Sequence, residues 1–145
     1  MSVRERLIGA WELVTFESRL PDGRTVSAMG RRATGHIVYS DNGLVSVNLS
    51  RAGRVPEEKD TLFHDRSDAA VAEIARGYMA YSGRFEVNEE RSVARHHFDL
   101  CLDPALIGTL QERHVRFFDD KLELSVPDAG VEGVGFPSTL VWRRL

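Results

Sequence analysis

The segment "GHIVYSDNGLVSVNLS", Gly35 to Ser50, is the stretch from which the fold is read. Two apolar runs flank "DNG", Asp41 to Gly43, and such a triplet supplies the backbone that a tight hairpin turn requires. After the turn, Val45, Val47 and Leu49 alternate with Leu44, Ser46 and Asn48. Strict alternation puts one set on a single face, because successive side chains of a strand point to opposite sides. The spacing predicts an antiparallel pair with one face turned to a core.

Similar segments lie on both sides. Upstream, "WELVTFES" (Trp11 to Ser18) is rich in β-branched and aromatic residues and stops at "PDG", Pro21 to Gly23. Downstream come "RFEV", "SVARHHFDLCL", "TLQERHVRFF", "KLELSV" and "STLVWRR", separated by "NEE", "DPALIG", "DD" and "PDAGVEGVGFP". Connections this short favour antiparallel neighbours. Between the two groups, Arg51 to Asp65 is charged, broken by Pro and Gly, and reads as a long loop of the kind that often forms a lid. "SDAAVAEIARGYMAYSG" then gives one helix near residues 67–80, capped by Ser67 or Asp68. Its apolar stripe is Val71, Ile74, Ala75, Tyr78 and Met79, with Gly83 ending it or the turn after it. About 8–10 strands with one helix predict a mainly β chain closed into a single antiparallel barrel, one domain over residues 1–145. A barrel of this size encloses room for one small ligand.

Composition excludes several classes of function. A formal charge of −3 with no basic stripe argues against a nucleic-acid partner. No apolar run approaches a membrane span or a signal peptide, so a cytoplasmic location is expected. Cys101 is the one cysteine, which leaves no intramolecular disulfide. His36, His64, His96, His97 and His114 lack the paired spacing of zinc motifs, so no metal is expected. There is no Gly-x-Ser-x-Gly elbow, P-loop or Gly-rich dinucleotide turn, and no cofactor is expected.

Over nearly its whole length the chain resembles the bacterial lipocalin-like domain family. "LIGAW" is similar to the Gly-x-Trp opening of lipocalins, and "LVWRR" supplies a late Arg of the kind that packs across that Trp. The order "LIGAWELVTFE", "GHIVYSDNGLVSV", "YMAYSGRFEV", "HHFDLCLDPALIGTLQERHVRF", "KLELSVP" and "LVWRR" extends the likeness. Trp11, Gly35, Tyr39, Gly43, Tyr81, Gly83, His96, Pro104, Gly108, Arg113 and Trp142 match the family's recurring pattern. The resemblance implies a calycin-type barrel with an interior pocket. Members of such families hold apolar molecules or act as cyclases, isomerases or hydratases.

Strand parity selects the candidate site. In "RSVARHHFDLCLDP", His96 shares parity with Ala94, Phe98, Leu100 and Leu102, an apolar set that faces inward. His97 shares parity with Arg95, Asp99 and Cys101 and faces outward. On the next strand Thr109, Gln111, Arg113, Val115 and Phe117 form the inward set, so His96 and Arg113 approach each other if the strands pair. An imidazole and a guanidinium on one wall suit a carbonyl, enolate or carboxylate, and these two are the candidate catalytic residues. Glu17 shares parity with Trp11, Leu13 and Thr15 and is expected inside, where it would neutralise Arg113. Tyr39, Val45, Val47, Tyr81, Phe98, Gln111 and Glu17 are the expected ligand-contacting residues. Trp11 is assigned to the barrel floor and Tyr78 to core packing on the helix.

These readings converge on a barrel that holds a small, largely apolar or amphipathic, oxygen-bearing molecule; a homodimer is compatible with the sequence. Two alternatives stand beside it. One is a cofactor-independent cyclase or isomerase of a biosynthetic pathway, with His96 moving a proton and Arg113 stabilising negative charge. The other is a protein-interaction barrel whose interior is filled by side chains.

Overall fold

Gly43 adopts a φ of +96°. The chain reverses there to join β3 (Thr34–Tyr39) to β4 (Leu44–Ser50), in register from Thr34↔Ser50 to Tyr39↔Val45. The computed structural model describes residues 1–126 and 137–145, so most of the turn "PDAGVEGVGFP" lies outside the described residues. The remaining strands are β1 (Gly9–Arg19), β2 (Thr25–Val26), β5 (Tyr78–Asn88), β6 (Val93–His97), β7 (Leu100–Cys101), β8 (Leu110–Phe118), β9 (Lys121–Val126) and β10 (Ser138–Arg144). Two short helices, α1 (Val3–Leu7) and α2 (Asp68–Arg76), complete the regular α-helical structure among the described residues.

The strands form one sheet in the order β10-β9-β8-β6-β5-β4-β3-β1-β2, and β1 also pairs with β10. That last pairing closes an eight-stranded antiparallel barrel, with β2 and β7 as short additions. Trp11, Phe16, Ile37, Val45, Val47, Leu49, Phe85, Leu122, Leu124, Leu140 and Trp142 fill the buried core. Fully burying an aliphatic or aromatic side chain of this kind contributes about 1.5–3 kcal/mol.

One end of the barrel is sealed by α1. Five residues are too few for a helix to stand alone, and three contacts hold this one in place. Ser2 and Glu5 form a reciprocal capping box, Glu89 accepts from the backbone N–H groups of Val3 and Arg4, and Leu7 is fully buried. The Leu7 carbonyl accepts from Trp11 Nε1 at 2.9 Å. Arg144 lies over the Trp11 ring, 4.0 Å from its centroid, and donates to the carbonyls of Arg6 and Ile8. The end signatures "LIGAW" and "LVWRR" therefore meet across the seam between β1 and β10. At the opposite end lie α2 and residues 51–66; Arg54 donates to the Ile74 carbonyl and Glu58 accepts from Ser67.

Three expectations from the sequence change. The helix expected near 67–80 ends at Gly77, and Tyr78 and Met79 belong to β5. Pairing from Ser50↔Tyr78 to Leu44↔Arg84 imposes a two-residue period, and tertiary pairing outweighs the local helical pattern. Tyr78 therefore donates to Asn48 Oδ1, at 2.9 Å, from a strand rather than from a helix.

Second, a bulge in β1 between Leu13 and Thr15 shifts its register against β10. One extra residue reverses the parity beyond it: Phe16 and Ser18 are buried, and Glu17 is exposed. Third, β6 kinks after His97. Phe98 stays buried, but Leu100 and Leu102 turn outward, Leu100 with 69% exposure.

The third change explains Gly83, which lies in the middle of β5 rather than at a helix end. The kinked segment presses against it: Asp99 N–H donates to the Ser82 carbonyl, and Asp99 Oδ2 accepts from Arg84 N–H. A Cβ at Gly83 would overlap the His97 carbonyl oxygen and crowd the Asp99 backbone. Gly83→Ala is expected to lower stability by about 1–3 kcal/mol, the usual penalty for overpacking, as a shift in the urea unfolding midpoint.

Candidate functional site

Four strands each deliver one polar side chain to the same part of the interior. β3 supplies Tyr39, β5 Tyr81, β6 His96 and β8 Arg113, and each alternates along its strand with residues facing away. His96 is fully buried and Arg113 is 1% exposed. Tyr39 Oη lies 2.8 Å from His96 Nε2, and Tyr81 Oη lies 2.9 Å from Nδ1. Arg113 Nη2 points to Tyr81 Oη at 3.5 Å, while Nη1 donates to the Glu112 carbonyl at 3.2 Å. His96 and Arg113 do come together, as the parity argument expects, with Tyr81 between them.

Aromatic packing holds the tyrosines independently of these bonds. Tyr81 stacks on Phe98, with centroids 3.8 Å apart and planes at 17°. Tyr39 meets Phe85 edge-on at 4.9 Å. Val45 and Val47 are buried and sit opposite Tyr39 and Tyr81 in the ladders.

Burial, and after it the positive charge of Arg113, hold the His96 pKa well below the ordinary 6.5. A neutral imidazole has one N–H donor and one bare nitrogen acceptor. One tyrosine must therefore donate to the ring while the other accepts from it.

The other expected residues separate from this cluster. Gln111 faces His96 across the β6–β8 ladder but is half-buried, and its amide donates to Thr109 Oγ1, just before β8, at 3.0 Å. Glu17 does not neutralise Arg113, because the β1 bulge turns it to the outer surface beside Arg19, Thr25 and Thr139. His97 faces away from the interior and lies 3.6 Å from Glu86 Oε1. Among the described residues, no group of three or more His, Cys, Asp or Glu side chains is placed to hold a metal ion.

The family described as Lipocalin-like domain matches residues 8–145. The chain belongs to that family. A second similarity is to the 4'-hydroxy-3'-methoxypropiophenone carrier protein ppsC of Aspergillus oryzae, 37% identical over 108 residues. That match spans 70% of this chain and 96% of the relative. Among solved structures, a redesigned beta barrel has a TM-score of 0.47 at 11% identity, over 99% of this chain and 96% of that one. Wild-type fluorescent protein UnaG has a TM-score of 0.40 at 14% identity, over 97% and 98%. No described helix of this lipocalin-like domain is long and apolar enough to cross a membrane.

Phe85 is the residue of the cluster that the site expectations omit. Its signal was present in "RFEV", where Phe85 and Val87 alternate with charged residues. Linking it to Tyr39 needs the β3–β4–β5 registers.

The depressed His96 pKa has a direct consequence for stability. Below the ordinary His pKa of 6.5 the unfolded chain takes up a proton on this residue, while the folded chain keeps the ring neutral. Its stabilising contribution is complete above 6.5 and is lost progressively as pH falls below it. His96→Asn is expected to remove up to one proton, about 1.4 kcal/mol per pH unit, from the acid-side slope of stability. Urea unfolding of wild type and variant between neutral and mildly acidic pH measures the difference.

Proposed function

We propose that this lipocalin-like domain is a carrier that holds a small, largely apolar, oxygen-bearing molecule inside its barrel. The observation that carries this proposal is the Tyr39–His96–Tyr81–Arg113 cluster: hydrogen-bonding groups set among Val45, Val47, Phe85 and Phe98 in a buried apolar interior. A binding site for such a molecule needs an apolar wall with a few placed polar groups. The similarity to a carrier protein named for 4'-hydroxy-3'-methoxypropiophenone supports the same direction. That compound is an aryl ketone with a phenol and a methoxy group, and an aryl ketone is the ligand class proposed here.

Cyclase or isomerase chemistry, in which His96 takes a proton from a substrate, draws less support. Both ring nitrogens already have a tyrosine hydroxyl within 2.9 Å. A general base must reach the proton it removes, and this imidazole is turned to its two tyrosines. His96 and Arg113 thus orient Tyr81 and Tyr39, and the tyrosines are the proposed ligand contacts.

Titration calorimetry with 4'-hydroxy-3'-methoxypropiophenone tests the proposal. Saturable one-to-one binding is expected, with no conversion of the ketone on prolonged incubation. Val47→Trp, which fills the interior beside Tyr81, is expected to abolish binding. Tyr39→Phe is expected to weaken it by about three- to tenfold, the range for one neutral hydrogen bond. Unchanged affinity in Val47→Trp would place the ligand outside the barrel and defeat the proposal.

A further inference from the structure

Two buried side-chain atoms lack a hydrogen-bond partner among the described residues, His97 Nε2 and Trp142 Nε1. The histidine nitrogen lies toward the outer surface, with Glu86 Oε1 3.6 Å away. Trp142 is a different case, because it is 1% exposed and belongs to the core of the barrel. An indole nitrogen is a donor only. Native interiors pair nearly all such groups, because an unmatched one keeps its full desolvation cost. The other tryptophan shows the ordinary solution: Trp11 Nε1 donates to the Leu7 carbonyl at 2.9 Å. The ladder neighbours of Trp142 are Leu13 on β1 and Leu122 on β9, and neither side chain offers an acceptor.

The position of this donor in the ring of strands gives it a meaning. From β10 the wall runs through β9, β8 and β6 in one direction and through β1, β3 and β4 in the other, and both paths arrive at β5. β5 carries Tyr81, and the strands of Tyr39, His96 and Arg113 are β3, β6 and β8. No strand of the polar cluster is paired with β10. Trp142 therefore stands across the interior from that cluster. The walls between them are apolar, with Val45 and Val47 on β4 and Leu122 and Leu124 on β9.

We propose that Trp142 Nε1 is a second recognition point for the carried molecule, donating to an oxygen at the end of the ligand remote from the tyrosines. This rests on the carrier reading above and narrows it to ligands with oxygen at both ends of an apolar body. The propiophenone named in the carrier relative has that form, with a ketone at one end and a phenol and methoxy group at the other.

The test replaces the indole at position 142 alone by its benzothiophene analogue, which keeps the ring shape and has no N–H. The first measurement needs no ligand. Removing a buried donor that has no partner is neutral or stabilising, so the urea unfolding midpoint of the variant is expected to equal or exceed that of wild type. A lower midpoint, or a variant that fails to fold, would show that the N–H is satisfied within the free protein and would overturn the proposal.

The second measurement is calorimetry with 4'-hydroxy-3'-methoxypropiophenone and with unsubstituted propiophenone. The variant is expected to bind the first compound about three- to tenfold more weakly than wild type does, the range for one neutral hydrogen bond. Wild type is expected to bind propiophenone more weakly than the ring-oxygenated compound by a similar factor. Undiminished affinity in the variant would overturn the role of Trp142, and equal affinity of wild type for the two compounds would overturn the requirement for oxygen at both ends. Failure of wild type to bind either compound would instead defeat the carrier reading, and the proposal with it.

Discussion

The hydrogen-bonded seam between the first and last strands turns a ten-stranded sheet into a closed wall. β1 and β10 pair from Trp11↔Arg144 to Ser18↔Ser138, and an inside exists because that pairing holds. Closure removes the two longest free edges of the sheet, which would otherwise expose unpaired backbone groups. It also brings strands distant in sequence around one interior, where Tyr39 and Arg113 belong to one cluster. Arg144 stacked on Trp11, with its guanidinium on the Arg6 and Ile8 carbonyls, ties the seam to the helix that caps it. The floor and the wall are stabilised together.

Much of the architecture was legible in local pattern. The Asp41–Gly43 turn, the alternation through Val45, Val47 and Leu49, and the short connections sufficed for an antiparallel barrel. Parity was a reliable guide as far as the pleat stayed regular. It failed beyond the β1 bulge at Leu13/Thr15, which sends Glu17 outward, and beyond the kink after His97, which exposes Leu100 and Leu102. A bulge depends on which partner strand absorbs the extra residue, and that information is non-local. The stretch after Gly77 failed for a related reason, since Tyr78 and Met79 fit a helical stripe until β4 claims them. Helix α1 is a different kind of omission. Ser2 and Glu5 have capping-box spacing, so the signal for its start is local.

The candidate site divides along the same line. Inward histidine and inward arginine followed from parity within β6 and β8, because both lie before or away from the irregular positions. The bonds from His96 to Tyr39 and Tyr81 did not follow. They join β6 to β3 and β5, and reading them requires the ladders between those strands. Family membership speaks for the barrel as a scaffold, and scaffold similarity alone does not specify a ligand. The chemistry of the interior is what narrows the choice: apolar walls, two phenols, a buried imidazole and the guanidinium of Arg113.

The two tryptophans of the chain occupy facing sides of the seam, Trp11 on β1 and Trp142 on β10, and both are buried. Parting of the first strand from the last would therefore bring two buried indoles into water together. Opening of the ring of strands would shift their emission to the red. The stacking that locks the barrel shut also supplies its own reporter.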